Sequence, residues 1–159
     1  MKPRDIGKLV ASIVLCEGAG GIGSIFTVSA IPTWYAALEK PAFTPPNSVF
    51  GPVWVTLYLL MGIAVFLVWR RGLVEKGVRL AFTIFWVQLV LNVLWSVIFF
   101  GYKSPLGGVI LIILLWVVIL FTIIWFFKVS RIAGGLLIPY ILWVSIASYL
   151  NVGIWVLNP

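Results

Sequence analysis

Between Arg79 and Lys103 the chain runs 23 residues without a charge, and between Lys103 and Lys128 it runs 24. After Arg131 no charge occurs through Pro159, and before Arg70 the uncharged run reaches back to Pro41. Leu9 to Val28 is a fifth apolar stretch, interrupted only by Glu17. A helix needs about 20 apolar residues to cross the hydrocarbon core of a bilayer. The pattern predicts five spans, at about 7–28, 50–70, 79–101, 106–127 and 133–156. The runs are long and continuously apolar, whereas strands of a membrane barrel alternate over about ten residues. The expected fold class is therefore an all-α membrane protein, a single five-transmembrane-helix bundle over residues 1–159. Composition agrees: 63% of residues are hydrophobic and 9% charged, against about 25% charged in a soluble domain. So few charges cannot cover a water-facing surface, and so apolar a chain is not a disordered one.

The residue inventory excludes several chemistries. There is no histidine, one cysteine (Cys16) and four acids (Asp5, Glu17, Glu39, Glu75). An intrachain disulfide framework is excluded, as is a zinc site of the usual Cys/His kind or a triad that needs an imidazole. No metal site and no obligatory cofactor are expected. Lys2, Arg4 and Lys8 form a positive N-terminal region. The long apolar segment with its Glu17 and glycines argues against a cleaved signal peptide.

Five spans place the N-terminus, the 71–78 connection and the 128–132 connection on one side. That side carries Lys2, Arg4, Lys8, Arg70, Arg71, Lys76, Arg79, Lys128 and Arg131, and the other only Lys40 and Lys103. Nine basic residues against two is a positive-inside signal. In a prokaryotic plasma membrane the N-terminus is expected in the cytoplasm and the C-terminus outside. The net charge of +7 then reflects topology and contact with anionic membrane lipids. No basic domain is left over to bind nucleic acid.

The first outer connection, about 29–49, reads SAIPTWYAALEKPAFTPPNSV. Pro32, Pro41, Pro45 and Pro46 are expected to prevent a regular helix. Trp34, Tyr35 and Phe43 suit either a lid over the bundle mouth or an interfacial aromatic belt. Gly18, Gly20 and Gly23 match G-x-G-x-x-G, but no strand–helix–strand sequence follows to make a dinucleotide site. Ala19 with Gly23, and Gly20 with Ser24, instead form small-xxx-small pairs that let helices approach closely, in a homodimer or within the chain. Glu17 lies near the middle of the first span, suited to a dimer interface or a water-filled crevice.

Polar groups inside spans are costly in lipid and mark either helix–helix contacts or function. Gln88 and Asn92 share one helix face, which Trp95 and Phe99 extend. Trp54 and Tyr58 pair at i, i+4, with Met61 one turn on. In the last span Trp143, Ala147, Asn151 and Ile154 share a face. Each set taken singly reads as helix–helix glue. Together, aromatic residues beside a few hydrogen-bonding groups on three helices suit a pocket for a large, flat, mostly apolar ligand.

These segments resemble a known family. The loop and second span read W-Y-x-x-L-x-K-P-x-x-x-P-P, from Trp34 to Pro46, then G-P-V-W-x-x-L-Y-x-x-M-G, from Gly51 to Gly62. The third span contains Q-L-x-L-N-x-x-W-S-x-x-F-F, from Gln88 to Phe100, and the fifth P-Y-x-x-W-x-x-x-A-x-x-L-N, from Pro139 to Asn151. In that order they are similar to the translocator protein family, also called TspO or tryptophan-rich sensory protein, over nearly the whole chain. The resemblance implies a five-helix bundle, usually dimeric, with a pocket under the first loop. It implies binding of porphyrins such as protoporphyrin IX and of benzodiazepine-site drugs such as PK11195. Residues matching the family pocket are Trp34, Tyr35, Pro41, Trp54, Tyr58, Asn92, Trp95, Trp143 and Ala147. Light-dependent porphyrin breakdown is attributed to bacterial relatives, and Trp54 and Trp143 match the tryptophans implicated in it. Gln88 and Asn151 join the candidate ligand-binding set from the polar pattern, and Lys40 joins it as a partner for a propionate or as an interfacial, snorkelling lysine. Cholesterol, which some animal members bind, is not expected here. The weak sterol motif needs a basic residue after its tyrosine, and Tyr149 is followed by LNVGIWVLNP.

The favoured function is a membrane receptor or sensor for a porphyrin. The alternatives are a porphyrin-degrading enzyme working through light and oxygen, and a transporter of tetrapyrroles or other small lipophilic molecules. The chain lacks paired acid–base groups for conventional catalysis.

Overall fold

A computed structural model describes residues 3–159; Lys2, counted above among the basic residues, lies outside them. Six helices follow in order: α1 (Pro3–Ala30), α2 (Asn47–Trp69), α3 (Lys76–Ser96), α4 (Pro105–Val129), α5 (Arg131–Leu136) and α6 (Ile138–Leu157). Two of them end in wider, π-helical turns, Ile31–Tyr35 after α1 and Val97–Gly101 after α3. No strand occurs among the described residues. Five helical bodies are long and apolar enough to cross a membrane: Pro3–Tyr35, Asn47–Trp69, Lys76–Gly101, Pro105–Val129 and Arg131–Leu157. These are the five spans read from the charge pattern, each extended at one or both ends.

Two expectations need correction. The first outer connection is shorter than 29–49, because the helix runs on through Pro32 to Ala37. A proline has no N–H to donate, and its ring crowds the carbonyl four residues back. The π turn at Ile31–Tyr35, with Pro32 at its start, is where the helix takes up that misfit. Only residues 38–46 remain irregular, held open by Pro41, Pro45 and Pro46. The fifth span, in turn, is interrupted. Ser130 caps α5 by accepting from the Ala133 N–H at 3.4 Å. That short helix stops at Leu137, and α6 restarts with Pro139 in its first turn, where the missing N–H costs nothing.

The helices close a ring. α1 packs on α2 and α3, α3 on α4, α4 on α6, and α5 leads back to α2. Glycines set the closest approaches. A β-carbon on Gly62 would lie 2.8 Å from Ile13 Cα, so α1 and α2 touch backbone to backbone there. One on Gly20 would strike the Tyr58 ring at 2.5 Å, and one on Gly23 would come within 3.1 Å of Ser96 Oγ. Gly20 and Gly23 thus serve contacts within the chain, and Ala19 is half-buried against the same core.

Outward-facing positions such as Val10, Val14, Ile25, Ile110 and Leu142 are apolar and exposed, as a lipid-facing surface requires. At one end of the bundle, Lys8 Nζ lies 5.4 Å from the Trp69 ring centre and donates to the Trp69 carbonyl at 3.4 Å. Gly77 meets Trp125 at that end, and Lys128 lies 4.0 Å from the same indole. The basic side chains of separate segments are thereby gathered on one face, anchored over aromatic rings.

Candidate functional site

α1 and its π turn contribute a wall of mostly small residues, with Val28 and Ile31 the apolar side chains in it. Gly21 leaves the helix backbone bare, Gly20 and Gly23 seat Tyr58 and Ser96, and Glu17, Ser24 and Thr27 lie on the same side. α2 and α3 face this wall with rings: Phe50, Trp54 and Tyr58 from α2, Trp95 and Phe100 from the end of α3. Between them lies a cavity of about 490 Å³, with Asn47, Gly51 and Ser96 completing its lining near the outer end. Drug-sized ligands occupy pockets of roughly 300–1,000 Å³.

The rings support one another. Trp54 lies 5.7 Å from Tyr58, 6.1 Å from Trp95 and 6.3 Å from Tyr140, centre to centre. Trp95 stacks on Phe99 at 5.9 Å and meets Phe100 edge-on at 5.8 Å. The two π turns approach each other above this cluster, with Trp34 against Phe99 at 5.4 Å and Tyr35 against Phe100 at 5.9 Å.

Behind the aromatic wall runs a buried hydrogen-bond chain. The Tyr58 hydroxyl donates to Asn92 Oδ1, Asn92 Nδ2 donates to the Tyr140 hydroxyl at 2.8 Å, and that hydroxyl donates to Gln88 Oε1 at 2.8 Å. Gln88 Nε2 ends the chain on Met61 Sδ at 3.8 Å. In parallel, Trp95 Nε1 donates to Asn151 Oδ1 at 3.1 Å, and Asn151 Nδ2 to the Ala147 carbonyl at 3.1 Å. Gln88, Asn92 and Asn151 are therefore spent on partners inside the protein and do not line the cavity. They tie α2, α3 and α6 together and fix the tilt of the rings that do line it.

The remaining candidates occupy distinct places. Trp54, Tyr58 and Trp95 line the cavity. Trp34 and Tyr35 lie above it at the π turns. Trp143 stands one ring behind, edge-on to the cavity residue Phe50 at 5.6 Å. Its Nε1–H is buried and has no partner among the described residues. Ala147 is buried next to it on α6. Lys40 turns away from the cavity: its ammonium caps the preceding helical turn on the carbonyls of Ala36 (3.4 Å) and Leu38 (3.0 Å) and sits 4.9 Å from the Tyr35 ring centre. Pro41 presses on Gly153, where a β-carbon would come within 2.6 Å of its ring. Lys40 and Pro41 border a shallow outer groove along α6 instead, with Tyr149, Val152 and Val156. The 38–46 segment is held down by Asn158, which accepts from the Glu39 N–H at 3.0 Å and donates to the Glu39 carbonyl at 3.0 Å. The polar pattern of the sequence misses the contribution of α1 to the cavity. The glycine run that supplies one wall reads equally as a packing face, and only the neighbours across it tell the two apart.

The sequence profile of the TspO/MBR family matches residues 12–156. The tryptophan-rich protein TspO of Archaeoglobus fulgidus is 46% identical over 154 residues, covering 97% of this chain and 99% of that one. The human translocator protein is 37% identical over 136 residues, 84% of this chain and 80% of its own. The tryptophan-rich sensory protein of Cereibacter sphaeroides is 36% identical over 118 residues, 74% and 72% respectively. With its five membrane-crossing helices, its aromatic cavity and these relatives along nearly its full length, the chain is an integral membrane protein of the TspO/MBR family.

Proposed function

We propose that this protein is a membrane receptor or sensor that holds a flat, mostly apolar tetrapyrrole of the protoporphyrin IX type in the cavity between α1, α2 and α3. Hydrophobic benzodiazepine-site drugs compete for the same space. The observation that carries this reading is a cavity of about 490 Å³ with mostly small residues of α1 on one side, open at Gly21, and aromatic rings of α2 and α3 on the other. A planar π system needs a slot rather than a sphere. Small residues around the open Gly21 let it approach one face, and the indole and phenyl rings opposite stack on the other. Trp143, with an unspent N–H behind Phe50, becomes available to an acceptor on the ligand if Phe50 swings aside. The two alternatives are separated by illuminating the complex and by uptake into proteoliposomes. A receptor leaves porphyrin absorbance unchanged in light and moves no ligand across the membrane. On the same footing we propose a homodimer that does not use Gly20 and Gly23, tested by the protein mass of the detergent complex after the bound detergent is subtracted.

The test is a protoporphyrin IX titration of purified protein, followed by tryptophan quenching. Wild type binds saturably. Trp54→Ala weakens binding by roughly two- to thirteenfold, the 0.5–1.5 kcal/mol an aromatic pair contributes beyond its area. Gly21→Leu adds a side chain where nothing lies within 4 Å of the new β-carbon, so it fills the cavity without a clash and abolishes binding at an unchanged melting temperature. Equal quenching in all three proteins removes the tetrapyrrole from this cavity.

A further inference from the structure

We infer that the cavity also takes hydrophobic cations, molecules with an apolar ring-bearing body and a quaternary or protonated onium centre, with Glu17 as the group that selects the charge. The inference rests on the cavity being a ligand site, as proposed above, and not on the identity of the tetrapyrrole.

Glu17 sits 14 residues into the 28-residue α1, half-way along a membrane-crossing helix. An ionisable side chain at that depth is expensive and is retained where it faces a pathway or a partner. Glu17 faces the cavity. It is three and four residues before Gly20 and Gly21 and so shares their helix face. No hydrogen bond or ion pair engages its carboxylate among the described residues. Opposite lie the rings of Phe50, Trp54, Tyr58, Trp95 and Phe100, and aromatic rings attract a cation most strongly where water is excluded.

The remaining polar atoms reinforce the sign. The Ser24 hydroxyl donates to the Gly21 carbonyl at 2.7 Å and the Thr27 hydroxyl to the Gly23 carbonyl at 3.1 Å. The Tyr58 O–H and the Trp95 N–H are likewise committed, to Asn92 and Asn151. The hydroxyl oxygens still offer lone pairs, and the lining donors not engaged, the Asn47 amide and the Ser96 hydroxyl, lie toward the outer end. No lysine or arginine lines the space. A carboxylate, oxygen lone pairs and ring faces together make an electronegative lining inside an apolar slot, complementary to a delocalised or shielded positive charge. A cation in turn neutralises the carboxylate at a depth where neither is stable alone. For a porphyrin, the same lining turns the propionates away from Glu17 and toward the outer end.

The test uses two ions of the same shape and opposite charge, tetraphenylphosphonium and tetraphenylborate, titrated into the full chain in nanodiscs of neutral lipid and followed by calorimetry. The expected result is saturable binding of the cation at least roughly tenfold tighter than the anion, the scale of a charge-assisted contact. Glu17→Gln, isosteric and neutral, erases that preference by weakening the cation roughly tenfold. Its melting temperature shows that it is folded, and Glu17→Asp, which keeps the charge, restores part of the preference. Gly21→Leu removes cation binding altogether, separating the cavity from partition into lipid. Equal affinity for the two ions in wild type overturns the proposal, as does a cation affinity unchanged by Glu17→Gln or by Gly21→Leu. Protoporphyrin IX is titrated into wild type alongside. Porphyrin binding without cation binding defeats this inference alone. Glu17-dependent cation binding without porphyrin binding defeats the tetrapyrrole reading and leaves this one standing.

Discussion

Gly62 and Gly18 show how differently one residue type is used at two places in one bundle. A β-carbon on Gly62 meets the backbone of Ile13, at 2.8 Å from Cα and 3.2 Å from N. Main chain cannot rotate aside as a side chain can, so Gly62→Ala has to lever α1 off α2. The expected cost is about 1–3 kcal/mol, the range for overpacking a well-filled contact. Gly18 has nothing within 4 Å of such an atom, and Gly18→Ala is expected to be neutral or to stabilise by up to about 1 kcal/mol through helix propensity. Thermal unfolding of the two variants in the same detergent checks the contrast; equal melting temperatures would remove the close-contact argument. The sequence makes this partition only half legible. It marks Gly20 and Gly23 as small residues on a packing face, yet it cannot say that their partners are Tyr58 and Ser96 of the same chain. Lys40 illustrates the same limit. Its place beside the tryptophans suggests a ligand contact, whereas the nearest acceptors are the carbonyls at the end of its own helical turn. Gln88, Asn92 and Asn151 carry the opposite lesson: their spacing on one face is plain, but only their partners show that they bind each other.

The five membrane-crossing elements are legible because the signal for each is global, some twenty residues without a charge. Their interruptions are local and harder to read. Pro32 is read as a helix stop because the rule assumes an α-helical turn. A π turn moves the hydrogen-bonding partner one residue further, and the helix continues. The gain is positional: the extra residue brings Trp34 and Tyr35 over Phe99 and Phe100. The connection that follows has no regular structure of its own and depends on α6 for its place. Asn158→Ala removes both hydrogen bonds to the Glu39 backbone, with the bond to the Ile154 carbonyl lost as well. Amide hydrogen exchange over residues 38–46 is expected to quicken by roughly three- to tenfold, matching about 1 kcal/mol for a net hydrogen bond, while exchange in α3 stays as it was. Unchanged exchange in that connection would show that Pro41 against Gly153 holds it without the asparagine.

At the scale of the whole molecule, the alternation of five spans sends Lys8, Arg70, Arg71, Lys76, Arg79, Lys128 and Arg131 to one end and leaves Lys40 and Lys103 at the other. We propose that the basic end lies in the cytoplasm of a prokaryotic plasma membrane. In right-side-out cells, a membrane-impermeant maleimide should label Ala42→Cys and spare Val74→Cys, both in a background with Cys16 replaced; the reverse pattern would invert the molecule. The ring order of the helices is not legible, because the few polar residues inside the spans mark an inward face without naming which helix packs against it. That order has a consequence for how the protein is made. The cavity's small-residue wall and its carboxylate both belong to the first of the five spans, while the rings that cover them arrive with the second and third. From Ala30 to Gly101 is 71 residues, on the order of 4–14 s at 5–20 residues per second. Until α2 follows, a carboxylate at mid-membrane depth and a strip of exposed peptide groups have no native neighbour, and the third span completes the lining only at the end of that interval. The first span must therefore be accepted by the insertion machinery on the strength of its flanking apolar residues alone, and the site exists as an unfinished half before it exists as a site.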